Sequence, residues 1–515
     1  MANIVDIIYF LPQPHFLTLL IPSLLSLLII YYFFLPHSPY PLINPPGKFD
    51  LTASKAKIRF THDAQGLIKS GFEKCGIFRL TCDNGVRLVL SQKYLEEIRN
   101  HPSLSFGRVL QTDTPTDIRG FEPFGEDWDI FQEVIRKKLT QAQGEFRNYT
   151  MGRITRPLSD EASVALRDGW TDDPDWHEVA LYPTIQKLVA QMSCRIFLGD
   201  ELCRNEEWLR VMTSYTGRVR QALEELRLWP KIVRPIVAMF LDSTQVLRKE
   251  VQAARDIMDP IIEQRRREKE NTAKSDVAPK PNDNAMQWME DIAAGRPYDP
   301  VIMQLSLATV GIITSVDFLT KALLDASGDD ALVSELREEA IAVLREDGME
   351  KTSMYKLELM DSFLKESQRL KPLSLATFRR VAMDDIELSD GSKIAKGEGL
   401  IVPNDWMTDS KFYEDPETFD PYRFVKLRQV PDRERSASLV SVSPEHMGFG
   451  YGNHACPGRF FAVNEAKIAL CHILLKYEFK LAEGTMPQFR RYGIAIQTDV
   501  SARVLVRRRQ EEVSF

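Results

Sequence analysis

Residues Phe449 to Gly458 read FGYGNHACPG and run directly into RFFAVNEAKIALCHILLKYEF, whose apolar positions recur at helical spacing. Gly450 and Gly452 permit a tight turn and a close approach of the backbone to something flat and bulky. Cys456 stands just ahead of Pro457, and proline is favoured in a first helical turn, where its missing N–H costs nothing. The expectation is a loop that presents one thiol at the N-terminal end of a helix. About half a positive charge at such an end favours thiolate over thiol. Three other readings compete. A cysteine here could be only a small buried hydrophobe. A dinucleotide loop fits poorly, because Gly450, Gly452 and Ala455 meet only the looser GxGxxA form and no convincing strand leads in. A zinc site would need closer ligands, and His454, Cys456, Cys471 and His472 lack CxxC or HExxH spacing.

A thiolate on a rigid loop suits the proximal position of a haem iron, where it pushes electron density toward oxygen. The full pattern F-x-x-G-x-x-x-C-x-G is met at Phe449, Gly452, Cys456 and Gly458, and it resembles the haem loop of the cytochrome P-450 superfamily. The resemblance implies a haem b with Cys456 as axial ligand, Phe449, Gly452 and Gly458 shaping its bed, and His454 donating to a propionate. It extends to three more motifs in the expected order. Glu366 and Arg369, in MDSFLKESQRLKP, sit at i and i+3 on one helix face. Arg423, in FDPYRF, completes what looks like the family's Glu-Arg-Arg cluster, a buried triad that costs roughly 3–5 kcal/mol to break. The long apolar run MQLSLATVGIITSVDFLTKALL resembles the family's helix over the haem, with Thr314 as the proton-delivering alcohol and Gly311 as the small residue that lets the helix open. Here the sequence departs from the family, since Ile313 stands where an acid belongs; Asp317 is a candidate replacement. Arg380, in FRRVAMDDIEL, matches the propionate-binding arginine, and Phe378 with Leu373 to Thr377 would line the substrate pocket. In GEDWDIFQEVIRKKL, Trp128 matches a propionate contact, but Gln132 replaces the expected base; Arg136 could substitute from the next turn.

The chain has 515 residues and a net charge of −7, which gives no electrostatic footprint for nucleic acid. Its six cysteines are dispersed, with no disulfide framework, which suits a reducing compartment. Residues 16–35, FLTLLIPSLLSLLIIYYFFL, carry no charge and match the ~30 Å of a bilayer core. Lys48, Lys55, Lys57 and Arg59 follow that run and no Lys or Arg precedes it, so the catalytic body is expected in the cytosol. The expected organisation is a short lumenal stretch 1–15, a signal-anchor helix 16–35, a Pro-rich hinge 36–50 and a catalytic domain 51–515. The sequon Asn148-Tyr149-Thr150 would then face the wrong side for glycosylation.

Val86 to Leu90, Ile386 to Ile394 with its Asp390-Gly391 turn, and Arg503 to Arg507 read as strands. The Trp288 segment, Ala331 to Glu346 and Leu357 to Leu370 read as helices, and Glu268 to Asn284 as a surface loop. The fold class expected is mostly α with small β-sheets, one haem-binding body behind a single membrane helix. FTHDAQGL (Phe60 to Leu67) and VRLVLSQKYLEEIRNHPSLSF look most like fungal enzymes of terpenoid and polyketide secondary metabolism.

The function implied is monooxygenation of an apolar small molecule at the endoplasmic reticulum membrane: R–H + O2 + two electrons + two protons giving R–OH + H2O. No nucleotide loop is evident, so electrons would come from a separate NADPH-dependent flavoprotein reductase, with Arg136-Lys137-Lys138 as a docking patch. A haem-thiolate isomerase or dehydratase without external electrons, and a non-catalytic haem-binding membrane module, are the alternatives.

Overall fold

A computed structural model of the chain describes residues 38–48, 50, 52–125, 128–140, 151–273 and 283–513. The expected lumenal stretch 1–15, the membrane helix 16–35 and the sequon at Asn148 lie outside the described residues. Leu42 onward forms one compact unit. Its boundary falls earlier than the composition suggests. Leu42 and Ile43 pair in parallel with Arg79 and Leu80, so the end of the Pro-rich stretch is a sheet edge and not a hinge. Asn44 fixes it there, donating to Ala56 O at 2.8 Å and Thr81 O at 2.9 Å while accepting from Arg59 Nε at 2.8 Å.

The largest sheet runs, in spatial order, Leu42–Ile43, Ile77–Cys82, Gly85–Leu90, Gly399–Val402, Phe378–Ala382 and Leu104–Ser105. It mixes parallel and antiparallel pairs. Ile386–Glu387 and Lys393–Ile394 form the expected hairpin, with Gly391 at a positive φ of 82° in its turn. Arg503–Arg508 lies between Tyr477–Leu481 and His177–Ala180. Everything else of size is helical.

The Pro300–Ala326 helix is the spine. Asp299 caps it, accepting from the amides of Val301 at 3.0 Å and Ile302 at 3.1 Å, and Pro300 takes the first turn. Among the described residues it is the one helix long and apolar enough to cross a bilayer, yet most of that apolar stretch is buried. Ile312, Val316, Leu319 and Leu323 sit in the core, each contributing about 1.5–3 kcal/mol by burial. Leu181–Phe197, Glu206–Arg227, Glu358–Leu370 and Arg459–Lys476 pack around it. The Glu358–Leu370 helix has no cap of its own. Glu339 supplies one from a neighbouring helix, taking the amides of Leu359 at 2.6 Å and Met360 at 2.9 Å.

Two sequence expectations shift. The Asp242–Ala273 helix continues past Glu268, where a loop was expected to begin. Gln264 donates to Glu268 at 2.9 Å and Arg267 pairs with Glu263 at 3.5 Å, each one helical turn apart, so these side chains support a solvated helix. The Trp128–Val134 helix widens into π-helical turns over Ile135–Thr140, which changes what one turn later means for Arg136.

Candidate active site

The loop before Cys456 is closed by the Cys456 amide on Phe449 O at 2.8 Å and the Gly450 amide on Met447 O at 2.9 Å. Gly450 and Gly452 both hold positive φ, at 74° and 75°. A Cβ on Gly452 would also fall 2.5 Å from Arg99 O, so both backbone and packing exclude other residues. Arg459 braces the far side, donating to Cys456 O at 2.8 Å and Val440 O at 3.0 Å. Cys456 is half-buried and faces a cavity of about 640 Å³.

The helix end acts on the thiol as expected, through the amides of Gly458 and Arg459, but burial is the larger effect and pushes the thiol up. A thiolate here therefore calls for a cation on its open side, as a bound metal provides. The other cavity residues answer to haem. Arg380 is buried, with Nη1 on Arg379 O at 2.7 Å and Nη2 on Tyr451 O at 3.4 Å, while Nε finds no partner among the described residues. Burial, then Arg379, lowers its pKa to about 10. A buried cation with an orphaned donor and no carboxylate fits a propionate. His454 lies beside it; burial, then Arg380 and Arg136, holds its pKa down to about 4, and the Leu104 carbonyl takes a ring N–H, so donation to a propionate would need the second ring proton. Arg136 donates to Asn453 O at 3.2 Å and lines the same cavity, as does Gln132. The side chain of Trp128 lies outside the described residues. Gly458 lines the cavity too, with no protein atom within 3.9 Å of where a Cβ would stand, so the chain itself does not demand glycine there. The residues present fit a haem held by Cys456.

Above the loop, Gly311, Thr314, Ser315 and Asp317 line the cavity. Thr314 Oγ1 donates back along its helix to Val310 O at 3.0 Å and Gly311 O at 3.3 Å. Asp317 does not stand free as a replacement acid. It pairs with Lys321 at 2.6 Å, accepts from the Thr498 amide at 2.8 Å, and is therefore tied to the floor of the fold. An acid that the sequence reading passed over lies closer in connectivity. Glu465, fully buried on the Arg459–Lys476 helix, accepts from Ser193 at 2.6 Å and lies against Ser315, next to Thr314. Burial raises its pKa to about 7, and its Oε2 has no hydrogen-bond partner among the described residues. Its signal in the sequence is a lone acid inside an apolar helical run.

Leu373, Ser374, Ala376 and Thr377 line the cavity, whereas Phe378 does not; its ring lies beneath the Arg380 guanidinium at 4.0 Å. Phe378 and Arg380 are two residues apart on one face of the strand, so the ring takes a supporting place under the cation.

The three remaining motif residues meet below. Arg369 grips Glu366 with two bonds of 2.8 Å, and Arg423 Nε reaches the same carboxylate at 3.1 Å. Arg369 also donates to Met407 O and Pro416 O at 2.7 Å, and Arg423 to Glu414 O at 2.6 Å. The cluster thereby ties the Glu358–Leu370 helix to the segment that feeds the cysteine loop. By contrast, Glu207 and Arg210 share the spacing but no such pairing; Arg210 turns to Glu250.

Helical fold, cysteine loop, buried triad and cavity together define a haem-thiolate protein, and comparison with known proteins agrees. The family model for Cytochrome P450 matches residues 132–499, and the chain belongs to that family. Cytochrome P450 monooxygenase adrA of Penicillium rubens is 44% identical over 485 residues, covering 93% of each chain. Monooxygenase trt6 of Aspergillus terreus is 44% identical over 471 residues, covering 90% of this chain and 94% of its own. Monooxygenase hepE of Aspergillus oryzae is 44% identical over 477 residues, covering 91% of this chain and 86% of its own. The chain is a monooxygenase with haem iron as cofactor, and enzymes of this family draw on O2 and a redox partner.

Proposed function

We propose that this enzyme oxygenates an apolar terpenoid or polyketide intermediate of secondary metabolism, at the endoplasmic reticulum membrane, with electrons from an NADPH-dependent flavoprotein reductase. The observation that carries the reading is one cavity, lined by Phe106, Val109, Phe131, Leu307 and Phe318, that reaches both Cys456 and Thr314. Haem, when bound to Cys456, supplies the oxygen-activating chemistry. The chain does the rest. The apolar wall desolvates and orients substrate. Arg380 and Arg136 would hold the cofactor's carboxylates, with His454 beside them. Glu465, its pKa raised by burial to about 7, carries a proton part of the time at neutral pH and passes it by Ser315 toward Thr314, which lines the cavity.

This relay predicts that Thr314→Val keeps fold and substrate binding, since volume is nearly conserved, but diverts electrons to peroxide. General acid assistance of this kind is worth about 10²–10⁴ in rate. Product formed per NADPH consumed, with the reductase present, is the measurement; wild-type coupling in Thr314→Val would make the threonine merely structural. In the wild type, coupling should fall as pH rises through about 7, because Glu465 then loses the proton it gives. Glu465→Gln should be poorly coupled and flat across that range. A steep profile in the mutant would remove Glu465 from the relay.

Membrane attachment is supported by the uncharged run 16–35 and by a second feature. Trp229, Ile232, Ile236, Met239 and Phe240 are exposed together, beside Lys231. Deleting residues 1–35 should release part of the protein with haem intact, and adding Ile232→Ser with Phe240→Ser should release the remainder. Full solubility on deletion alone would leave that patch without a lipid role. As a reductase contact the Arg136-Lys137-Lys138 run is weaker than its composition suggests, because Arg136 turns toward Asn453 and Lys137 pairs with Glu133.

A further inference from the structure

The cavity is not apolar throughout. Asp83, Arg87, Asp113, Arg220, Glu224, Arg227 and Arg379 line a second part of it, brought there by the Ile77–Leu90 hairpin, the Gly107–Asp113 helix, the Glu206–Arg227 helix and the Phe378–Ala382 strand. On the Glu206–Arg227 helix, Arg220, Leu223, Glu224 and Arg227 recur at helical spacing and form one face toward the cavity.

Most of these charges are matched. Arg227 pairs with Asp83 at 2.9 Å and donates to Asp113 O at 3.0 Å. Arg87 pairs with Asp113, and Arg379 reaches the same carboxylate at 3.6 Å. Glu224 is held by Arg490 at 3.3 Å, leaving its Oε1 buried and unpartnered. Arg220 is the exception. It is half-buried and has no hydrogen bond or ion pair among the described residues. Asp317 feels its field, but Asp317 is already held by Lys321 and the Thr498 amide.

We infer that Arg220 is a specificity-determining residue that binds a carboxylate on the substrate, so that the enzyme acts on an apolar acid and not on a neutral hydrocarbon. A guanidinium in a cavity offers paired N–H donors that match a carboxylate in geometry and charge. A single negative charge is what this wall accepts. Arg87, Arg227 and Arg379 are taken by Asp83 and Asp113, Glu224 by Arg490 and Asp317 by Lys321, so Arg220 is the one cation of this wall left uncommitted among the described residues. With the acid fixed at Arg220, the apolar remainder of the molecule extends toward Thr314 and Cys456. This inference rests on the monooxygenase reading of the same cavity.

The test uses the haem-loaded full chain and two pairs of probes, abietic acid with its methyl ester and dodecanoic acid with its methyl ester. Binding is followed by the shift of the haem absorption band, and the reduced carbon monoxide spectrum reports integrity. At least one acid should bind about tenfold to a hundredfold tighter than its ester, the range of one charge-assisted pair. Arg220→Gln should bring that ratio to about one, and Arg220→Lys should restore part of it. Equal binding of acids and esters, failure of all four to bind, or a preference that survives Arg220→Gln would overturn the assignment. Oxygen incorporation from labelled O2 into the bound probes, with NADPH and reductase, separates the two claims. Acid preference without oxygenation would count against the monooxygenase reading alone, and oxygenation without acid preference against Arg220 alone.

Discussion

Cys456→His retains part of its haem but loses the thiolate band of the reduced carbon monoxide spectrum, and oxygenation falls below detection. The reason is electronic, since imidazole cannot supply iron with the electron density of a sulfur anion. The surrounding loop should survive the exchange, because its closure depends on the backbone. The amide of residue 456 reaches Phe449 O, and Gly450 and Gly452 make the turn regardless of the side chain at 456. Spectra of the purified variant settle the matter. An unchanged band would place the iron ligand elsewhere, and no other cysteine lines the cavity but Cys82, on the Ile77–Cys82 strand.

The second large effect is on stability. Glu366→Ala should cost roughly 3–5 kcal/mol, because two guanidinium groups then lose the carboxylate they share in a buried site. Arg369 and Glu366 are completely buried, and Arg423 is 12% exposed, so water cannot substitute. Against a total stability of about 5–15 kcal/mol, such a loss removes most of the soluble haem-loaded protein. The measurement is the urea midpoint and the yield of holoprotein beside a surface control, Lys393→Ala, whose ion pair with Glu387 is solvated. If both variants unfold at the wild-type midpoint, the triad does not hold the fold.

Much of the site could be read from the chain because its parts are linear. The cysteine loop carries its own glycines and its own helix start, so ligand and bed arrive as ten consecutive residues. Glu366 and Arg369 are one helical turn apart, and Arg423 was traceable only because a motif surrounds it. Arg380 was told from Arg379 by the family resemblance alone; the strand then sends Arg380 to the cysteine loop and Arg379 to Asp113. What sequence could not show are the partners made by distant segments. Glu465 meets Ser193 across 272 positions, and nothing local distinguishes it from a solvated helix acid. Arg220 is conspicuous only once every neighbouring acid has been seen to be taken. Asp317 misled for the opposite reason. Its partner Lys321 lies one turn along the same helix, a spacing that the chain displays, but the tie to Thr498 needs the last hairpin in place. The early start of the compact unit at Leu42 was hidden because two residues of strand leave no periodicity.

The hydroxyl of Thr314 has a single proton, and the helix already holds it. With that proton shared between Val310 O and Gly311 O, the side chain shows the cavity only lone pairs. In this rotamer it is a receiver. It steadies a donor placed above it but releases nothing, and to release it must turn about χ1 and forfeit bonds worth about 1 kcal/mol. On the relay proposed above, supply of protons would thus be latched at rest. The latch would open when something in the cavity offers the hydroxyl a better acceptor than its own helix, so that occupancy and proton release would share one moving part.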